Sequence, residues 1–569
     1  MTDIQTSTPT RAAPADELVF LPLGGSNEIG MNFNLYGYGP AMDRKWLAVD
    51  CGVTFGDQTT PGVDIIVPDP TYIADEAHNL LGIVLTHAHE DHIGGLAWLW
   101  PKLKAPVYAT PFTAFLVREK LREADLLDKV QVNEVPLGGT LRLGPFTIDL
   151  VTMTHSTPEP NALAIRTPLG VVLHTGDWKI DPDPITGGLT DVDALSRLGD
   201  EGVLAMTCDS TNVFVDGVAG SEAVVREAMT KLIGELKGKI AVGCFASNVA
   251  RMDSIIRAAE ANDRRVCLLG RSMHRMSAAA RSVGLLKGLK DFVTDAEAGY
   301  FPDDKVLYLC TGSQGEARAA LSRIADGTHQ HISLGQGDHV VFSSRQIPGN
   351  EVAIRSLQNR LSDKGVRLHT EREHPGIHVS GHPCRDELRQ MYQWVRPQIA
   401  LPTHGERRHS LEHAALAREM QVGQAIAARN GDMVRIAPGR AEIVDEVPSG
   451  VLYVDGGVLT PSNSTQLRER RHVASNGALM VAVTLDKRGR LVSEVLVKAL
   501  GLPGDEEYPL VEALDDLSED AEDAVQSLKP DQRDDDRAVE QAVGRALKRA
   551  AQRIWDRRPA VETLVTRIG

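Results

Sequence analysis

The 569-residue chain lacks any apolar run of the roughly 18 residues that are needed to span a bilayer. Residues 1–20 lack a basic segment followed by an apolar one, so no secretory signal is predicted. None of the six cysteines stands in a CxxC pair, which disfavours a disulfide framework and a cysteine zinc site. These absences predict a cytoplasmic protein in a reducing compartment, with no membrane partner.

The chain also lacks a net positive charge, which usually argues against a nucleic-acid partner. Its net charge of −16 is unevenly distributed, however. Residues 505–536 contain 14 acidic and two basic side chains, and the rest of the chain carries a net charge of only −4. The overall charge therefore does not describe the surface around a particular site. We interpret 505–536 as a flexible, solvated spacer.

Changes in pattern along the chain predict its domains. Short apolar runs that end in glycine, aspartate or histidine are typical of buried strands. In the middle of the chain, strands alternate with helices, which predicts a parallel sheet covered on both faces. The first pattern returns after this stretch, at GIHVSGH and IALPTHGE, so the middle domain is an insertion. The predicted segments are a disordered leader (1–17), a first domain in two parts (18–213 and 374–448), the inserted domain (214–373), a Gly/Pro/Ser-rich linker (449–464) and a C-terminal α+β domain (465–569).

The densest group of candidate metal ligands follows the apolar run GIVL. It contains His87, His89, Asp91 and His92 within six residues. Imidazole nitrogens and carboxylate oxygens suit zinc, and also manganese or iron. Alternate residues at a strand end can face one metal, and the next turn can face a second about 3.5–4 Å away. We therefore favour a dinuclear metal site over a solvated loop that holds histidines by chance.

Three further polar residues follow apolar runs and can complete such a site. They are His155 after IDLVTMT, Asp177 after VVLHTG and His404 after IALPT. Each alone is more often a cap or turn residue than a ligand. Beside the histidine cluster, they become candidate ligands. Asp177 can bridge both metals, because a carboxylate has two oxygens.

The order HAHEDH, His155, Asp177 and His404 resembles the metallo-β-lactamase superfamily. The early strands with Gly24, Gly25, Glu28, Gly30 and Asn32, and then Asp50-Cys51-Gly52, are similar to that superfamily as well. The resemblance implies an α/β fold in which two sheets form an αββα sandwich with the metals at one edge. It also implies that Asp50 orients the ligand histidines.

The long insertion indicates which group within this superfamily the chain resembles. Asp177 and His404 are separated by 226 residues. Asp209 in CDSTN, His378 in GIHVSGH and the run CTGSQGE resemble the beta-CASP group of nucleic-acid-processing enzymes. Together with PTHGE and the C-terminal domain, the chain resembles the bacterial ribonuclease J family over residues 18–569, most specifically up to His404. The acidic segment is longer than this resemblance leads us to expect.

The resemblance implies a role for each candidate residue. One metal is held by His87, His89 and His155, the other by Asp91, His92 and His404, with Asp177 between them. An RNA phosphate is held by Ser247, His378, Val379, Ser380, Gly381 and His382. His378 is the first candidate for the general acid and His382 is the second. Asp209 orients His378 or a metal ligand. Asp91 is a catalytic residue as well as a metal ligand. Candidates to line the cleft are Arg251, Arg271, Arg275 and Arg345.

The implied activity is metal-dependent hydrolysis of RNA to 5′-phosphate and 3′-hydroxyl products. The resemblance implies both 5′→3′ exonuclease and endonuclease action, with two zinc or manganese ions and a preference for single-stranded 5′ ends. It further implies roles in rRNA processing and mRNA decay, a homodimer or homotetramer, and partners from RNA-decay complexes.

Two alternatives share part of this pattern. A small-molecule hydrolase, acting on thioesters or lactones, would use the same metal ligands but would ignore RNA. The insertion, Asp209 and HVSGH count against it. A catalytically silent RNA-binding scaffold would purify nearly free of metal, and silent relatives usually lose metal ligands. This chain keeps all seven candidate ligands.

Overall fold

The computed structural model describes residues 15–57, 59–347, 349–504 and 509–569. Most of the predicted leader and the first four residues of the acidic segment lie outside these ranges. The chain divides into two compact units, one running up to Thr54 and over Val67–Val451, the other over Phe55–Ile66 and Leu452–Gly569. Among the described residues, no helix combines the length and apolar character that crossing a membrane requires.

Two large sheets form the framework of the first unit. Across the first sheet the strand order is Glu442–Glu446, Asp432–Ala437, Glu17–Gly24, Phe33–Gly39, Lys45–Val49, Leu80–Val84, Val107–Ala109 and Val132–Glu134. Across the second it is Thr140–Leu143, Phe146–Thr152, Asn161–Thr167, Gly170–His174, Val203–Asp209, Ile399–Thr403 and Gln424–Ala425. A two-stranded pair, Ser26–Asn27 with Gly405–Glu406, lies beside them.

The two sheets pack face to face. Phe20 and Leu47 of the first sheet share one buried cluster with Ile165 and Leu401 of the second. The opposite face of the second sheet packs against helices, for example at Met391. This arrangement is the predicted sandwich. Its helices are Thr71–Asp75, Glu90–Ile93, Leu96–Leu103, Pro111–Glu123, Val192–Glu201, Arg385–Val395 and Arg407–Glu419, with a 3₁₀ turn at Ala77–Asn79.

The inserted domain contains a five-stranded, fully parallel sheet. Neighbouring strand residues such as Ala241 and Val242 are both buried, so helices cover both faces, as predicted. The strand order is Arg265–Leu269, Val306–Cys310, Ile240–Gly243, His339–Phe342 and Arg367–His369. The helices are Glu222–Glu235, Val249–Ala261, Arg271–Ser282, Asp295–Ala298, Ala320–Asp326 and Glu351–Asp363, with a 3₁₀ turn at Asp303–Lys305.

The segment GIHVSGH does not form a strand. Residues 376–383 are an irregular loop that enters the helix Arg385–Val395. The return of the first pattern predicts a strand here, but the polar side chains and the Gly381 carbonyl of this segment are used in local contacts instead of a ladder. We call residues 376–384 the return loop, because they lead the chain back from the inserted domain.

The predicted linker also contains regular structure. Val451–Asp455 and Val458–Pro461 form an antiparallel hairpin in a four-stranded sheet, whose remaining strands are Ile65–Pro68 and Thr54–Phe55. Gly456 and Gly457 have φ angles of 56° and 91°, which a two-residue hairpin turn between twisted strands favours. The glycines thus mark a tight turn, and the stretch predicted as a linker contains this hairpin.

The C-terminal domain is a three-stranded sheet covered by helices. Ala478–Asp486 lies between Leu496–Leu500 and Ala560–Ile568. The helices are Thr465–Asn476, Leu510–Gln526, Pro530–Arg533 and Asp536–Trp555. The acidic segment is therefore not a flexible spacer over residues 510–526. Its apolar residues recur at every fourth position and pack in the domain core, although the charged residues between them dominate the composition. These core residues are Ala513, Leu517, Ala521 and Val525.

We expect Leu517→Ala to destabilise the C-terminal domain by about 2–5 kcal/mol, the range for truncating a buried leucine. Glu519→Ala, which changes an exposed residue of the same helix, should change stability by less than about 0.5 kcal/mol. Hydrogen exchange of the amides of Ala478–Asp486 in increasing urea would measure both effects. Equal protection in the two variants would show that the acidic helix is not part of this core.

Candidate metal and phosphate site

The candidate ligands come together because they follow strands that end at the same edge of the sandwich. Gly170–His174, Val203–Asp209 and Ile399–Thr403 are parallel neighbours, so the residues after them share one edge. Asp177 and His404 lie in this position. His87 follows Leu80–Val84 of the facing sheet, and His155 follows Phe146–Thr152. The seven residues named from the sequence all lie in two groups of side chains that could hold a metal ion.

The first group consists of His87, His89, His155 and Asp177. His89 Nδ1 lies 3.2 Å from His87 Nε2 and 3.1 Å from His155 Nε2. Asp177 Oδ2 lies 3.8 Å from His87 Nε2 and 3.9 Å from His155 Nε2. Three ring nitrogens and one carboxylate oxygen therefore converge on one point.

The second group consists of Asp91, His92, His404 and the same Asp177. His92 Nε2 lies 3.2 Å from Asp177 Oδ2 and 3.6 Å from Asp91 Oδ2. His404 Nε2 lies 3.5 Å from Asp177 Oδ2 and 3.8 Å from Asp91 Oδ2. One oxygen of Asp177 thus faces both groups, which is the arrangement expected of a carboxylate between two ions.

The hydrogen-bond partners of the rings determine where their lone pairs point. The Gly381 carbonyl can only accept, so His155 Nδ1 donates to it at 2.6 Å, and the lone pair of neutral His155 lies on Nε2. The Thr86 hydroxyl donates to Asp50, so it accepts from His87 Nδ1, and the lone pair of His87 also lies on Nε2. Both lone pairs point towards His89. Converging lone pairs fit a divalent cation, which would replace their mutual repulsion with coordination.

The protonation of these groups agrees with that fit. Burial and the neighbouring imidazoles hold the pKa values of His87 and His155 well below the usual range, and burial lowers the pKa of His89 to about 4. Burial also opposes a charge on His92, but Asp177, Asp91 and Asp50 outweigh it and hold its pKa well above the usual range. We therefore expect metal binding by His92 to release a proton.

The backbone around Asp50 fixes the second group in place. Thr86 N and Oγ1 donate to the Asp50 carboxylate, and His92 Nδ1 donates to Asp50 Oδ2 at 2.7 Å. Cys51 N donates to the His92 carbonyl, so the short helix Glu90–Ile93 is held against this turn. Gly52 is required there, because a Cβ on it would lie 1.7 Å from the Asp91 carbonyl oxygen.

The return loop places two histidines in different surroundings. His382 Nδ1 lies 2.8 Å from Asp209 Oδ2, and its ring stacks on His404 with centroids 5.5 Å apart. Burial opposes protonation of His382, but Asp209, with Asp177 and Asp91, outweighs it and raises its pKa to about 9. The ring that contacts Asp209 Oδ2 is therefore that of His382, whereas the resemblance implied that Asp209 orients His378 or a metal ligand. His378 instead accepts a hydrogen bond from Arg251.

The four arginines predicted for the cleft differ in their contacts. Arg251 is 1% exposed and paired with Glu222, so its guanidinium is not a surface cation. Arg275 pairs with Glu123, and Arg345 donates to Asn212 Oδ1. Arg271 is exposed at the start of its helix. Ser247 lies two residues before the helix Val249–Ala261, whose N-cap is Asn248.

Three residues that contact the site received no such role from the sequence. The Asn32 amide lies within 3.1 Å of His404 Nδ1. Thr86 connects His87 with Asp50. Asn212 Nδ2 donates to Ser380 Oγ and to the His382 carbonyl, which holds the return loop. All three lie within or beside motifs quoted from the sequence, but nothing in the spacing indicates which ring or loop each one contacts.

Asp50→Asn should weaken metal binding by about 10–100-fold, the usual effect of removing a carboxylate that orients a ligand histidine. Asp43→Asn, at an exposed carboxylate in the preceding turn, should have no effect. Metal content after equilibration with a graded series of chelator concentrations would measure both variants. Equal metal retention would contradict the assigned role of Asp50.

Comparison with known proteins gives four matches to family models. They are the beta-lactamase superfamily domain over residues 45–198 and the ribonuclease J beta-CASP domain over 237–361. The others are the Zn-dependent metallo-hydrolase RNA specificity domain over 372–427 and the ribonuclease J C-terminal domain over 465–568. The third of these contains the return loop and His404.

Several similar proteins carry the name ribonuclease J. The protein from Sinorhizobium meliloti is 45% identical over 98% of this chain and 98% of its own length. That from Corynebacterium glutamicum is 37% identical over 96% of this chain and 76% of its own length. A solved structure of a protein of unknown function from Enterococcus faecalis has a TM-score of 0.51 at 15% identity. The match covers 74% of this chain and all of that chain, and it shows a likeness of fold alone.

The alternatives of a small-molecule hydrolase and a silent scaffold are not supported by these matches. The matched domains agree with the described sandwich, the parallel-sheet insertion and the C-terminal domain. The histidine–aspartate groups fit divalent metal ions, and the RNA specificity domain supports RNA binding. This chain therefore belongs to the ribonuclease J family and is a metal-dependent ribonuclease.

Proposed function

We propose that this ribonuclease acts at a centre of two metal ions, as both a 5′→3′ exonuclease and an endonuclease, in rRNA processing and mRNA decay. Its products would carry 5′-phosphate and 3′-hydroxyl ends. The observation that carries the proposal is the position of Asp177 Oδ2, within 3.9 Å of ring nitrogens from both ligand groups. Two ions when bound would polarise the scissile phosphodiester and activate water.

We assign the ligands as the resemblance implies. His87, His89 and His155 would hold one ion, Asp91, His92 and His404 would hold the other, and Asp177 would contribute to both. Five of these seven ligands are imidazoles, which favours zinc, and manganese is the alternative to be tested. The lone-pair directions of His87 and His155 support this assignment independently of the family.

The return loop is the proposed phosphate site. Gly381 packs closely on the first group of candidate ligands. A Cβ on Gly381 would lie 2.8 Å from Ser156 Oγ and 3.0 Å from His155 Cε1. The backbone of Val379, Ser380 and Gly381 can therefore approach an RNA phosphate while remaining against the ligands. His378 and Ser247 are proposed to contact the same phosphate.

His382 is the stronger candidate for the general acid. Its ring lies between the two ligand groups, 5.1 Å from the His155 ring and 5.5 Å from the His404 ring. Asp209 fixes its Nδ1, so the Nε2 proton is free to reach the leaving 3′-oxygen. His378 lacks a carboxylate of this kind, and its Nδ1 instead accepts a hydrogen bond from Arg251, so we place it second.

The remaining proposals concern the whole protein. All six cysteines are free and buried, which supports a reducing cytoplasm. We propose the domain bounds given from the sequence, with 451–461 counted as part of a sheet. The C-terminal domain is the proposed contact of a homodimer or homotetramer, and RNA-decay proteins are proposed as further partners.

The direction of cleavage can be tested on one RNA labelled near its 3′ end. We expect rapid, chelator-sensitive shortening of the 5′-monophosphate form and slow attack on the 5′-triphosphate form. A His89→Ala variant, which loses a ligand of the first group, should match the chelated enzyme. Equal internal cutting of both RNAs would leave an endonuclease only, and cutting by the metal-depleted variant would contradict the two-metal centre.

His382→Gln should keep its metal and lose about 10²–10⁴-fold in kcat, the usual contribution of a general acid. His472→Gln, at an exposed histidine of the C-terminal domain, is the matched control and should keep full activity. Metal analysis and single-turnover rates would separate the two effects. A His382→Gln enzyme with normal kcat would return the role of general acid to His378.

A further inference from the structure

Arg251 is a buried arginine that connects three segments around the return loop. Its side chain is 1% exposed and forms a two-point ion pair with Glu222, in which Nε donates to Oε2 and Nη2 donates to Oε1, each at 2.9 Å. Glu222 begins one helix of the inserted domain, and Arg251 lies in the next. Such a pair is costly to desolvate, so further hydrogen bonds to the buried guanidinium would offset part of that cost.

Those partners belong to the return loop and to the strand end beside it. Arg251 Nη1 shares its protons among the Ser343 carbonyl, Ser343 Oγ and His378 Nδ1, at 2.9, 2.8 and 3.1 Å. Nη2 also points towards the Val379 carbonyl at 3.4 Å. The Ser343 hydroxyl donates to the Ile377 carbonyl at 2.7 Å. Arg251 therefore holds the backbone and the side chain of the loop together.

The contact with His378 determines where the ring carries its proton. A guanidinium can donate but cannot accept, so His378 Nδ1 must be the acceptor. The single proton of the neutral ring then lies on Nε2. Nε2 is buried and has no hydrogen-bond partner among the described residues. A buried donor without a partner is costly, and a ligand oxygen in front of it would remove that cost.

The charges around His378 favour this neutral state. Burial and three cations, Arg251, Arg345 and Lys179, hold its pKa well below the usual range. Arg251 is paired with Glu222 and Lys179 with Asp181, so these two cations add little net positive potential. An anion facing Nε2 would meet a neutral N–H donor, which can donate a hydrogen bond to an RNA phosphate.

We propose that Arg251 is a positioning residue for RNA binding: it fixes the orientation and tautomer of His378 so that the Nε2–H group donates to a backbone phosphate. This inference rests on the proposed phosphate site in the return loop. It adds a residue from the core of the inserted domain, and it gives His378 the role of a neutral donor in place of an acid.

A double-mutant cycle tests the proposal. Removing only the guanidinium would leave Glu222 charged and buried, so the variant pairs Arg251→Met with Glu222→Gln. We expect this paired variant to weaken binding of a fluorescent 5′-monophosphate RNA by about tenfold, the low end for losing a hydrogen bond to a charged group. Anisotropy would be measured with EDTA present, which keeps the RNA intact. In a His378→Ala background, which itself weakens binding by about tenfold, the paired variant should add less than about twofold.

Two further measurements separate positioning from a purely structural role. In the metal-loaded enzyme, the paired variant should raise KM about tenfold and leave kcat within about twofold, because the lost contact is made equally before and during the reaction. His378→Gln, which restores an amide donor near Nε2, should recover part of the affinity that His378→Ala loses. Arg360→Met with Asp326→Asn removes a partly exposed ion pair of the same domain and should change nothing.

Different results would overturn different claims. If the paired variant weakens binding equally with and without His378, Arg251 only supports the fold, and the proposal is wrong. If His378→Ala binds RNA normally, the phosphate site in the return loop fails, and the role of Arg251 fails with it. Neither result affects the two-metal centre, which is tested by the chelator and by His89→Ala.

Discussion

The site depends on one buried carboxylate oxygen. Asp177 Oδ2 lies 3.2–3.9 Å from ring nitrogens of five histidines, which are His87, His92, His155, His382 and His404. Burial favours the neutral acid, but His404 and His92 outweigh it and hold the pKa of Asp177 well below the usual range. Without this negative charge, the buried ring nitrogens would repel one another, lone pair against lone pair or proton against proton. The carboxylate makes their close approach tolerable, and it is also the group that two cations can share.

The surrounding contacts turn this cluster into a directed site. Each of His87, His92 and His155 has its second ring nitrogen bound by a fixed partner, so the remaining nitrogen points inward. The partner of His155 is the Gly381 carbonyl, which belongs to the return loop. The same loop accepts hydrogen bonds from Arg251 through His378 and Val379. A ligand histidine and the core of the inserted domain are thus connected through one short, irregular segment.

Features that depend on local spacing could be predicted from the sequence. His87 to His92 lie within six residues, and Asp177 and His404 come shortly after buried strands. The resemblance to a known family then supplied the pairing of the ligands. Contacts between distant residues could not be predicted, because nothing local marks them. Arg251 looked like a cleft cation, but Glu222, 29 residues away, neutralises it in the core.

Composition misled the prediction in two places. The acidic segment has a strongly negative average charge, which hides the apolar repeat Ala513, Leu517, Ala521 and Val525. The apolar residue at every fourth position predicts this helix, whereas the average charge of the segment does not. The predicted linker contains Gly456-Gly457, a hairpin signal that is hidden by the Gly/Pro/Ser-rich composition around it. In both cases the order of the residues was informative and their proportions were not.

The topology explains why the return loop lies against the metals. Val203–Asp209 and Ile399–Thr403 are adjacent parallel strands, so the connection between them must cross from one edge of the sheet to the other. The helix Arg385–Val395 makes that crossing. The inserted domain is placed before this helix, so the chain leaves and re-enters at the edge that carries Asp209. The bridge between Asn212 and Cys384 marks the point where the outgoing and returning segments meet. An insertion at this position therefore brings residues 376–384 to the ligands whatever the length of the inserted domain. The inserted domain can differ in length while the return loop stays at the metal ligands.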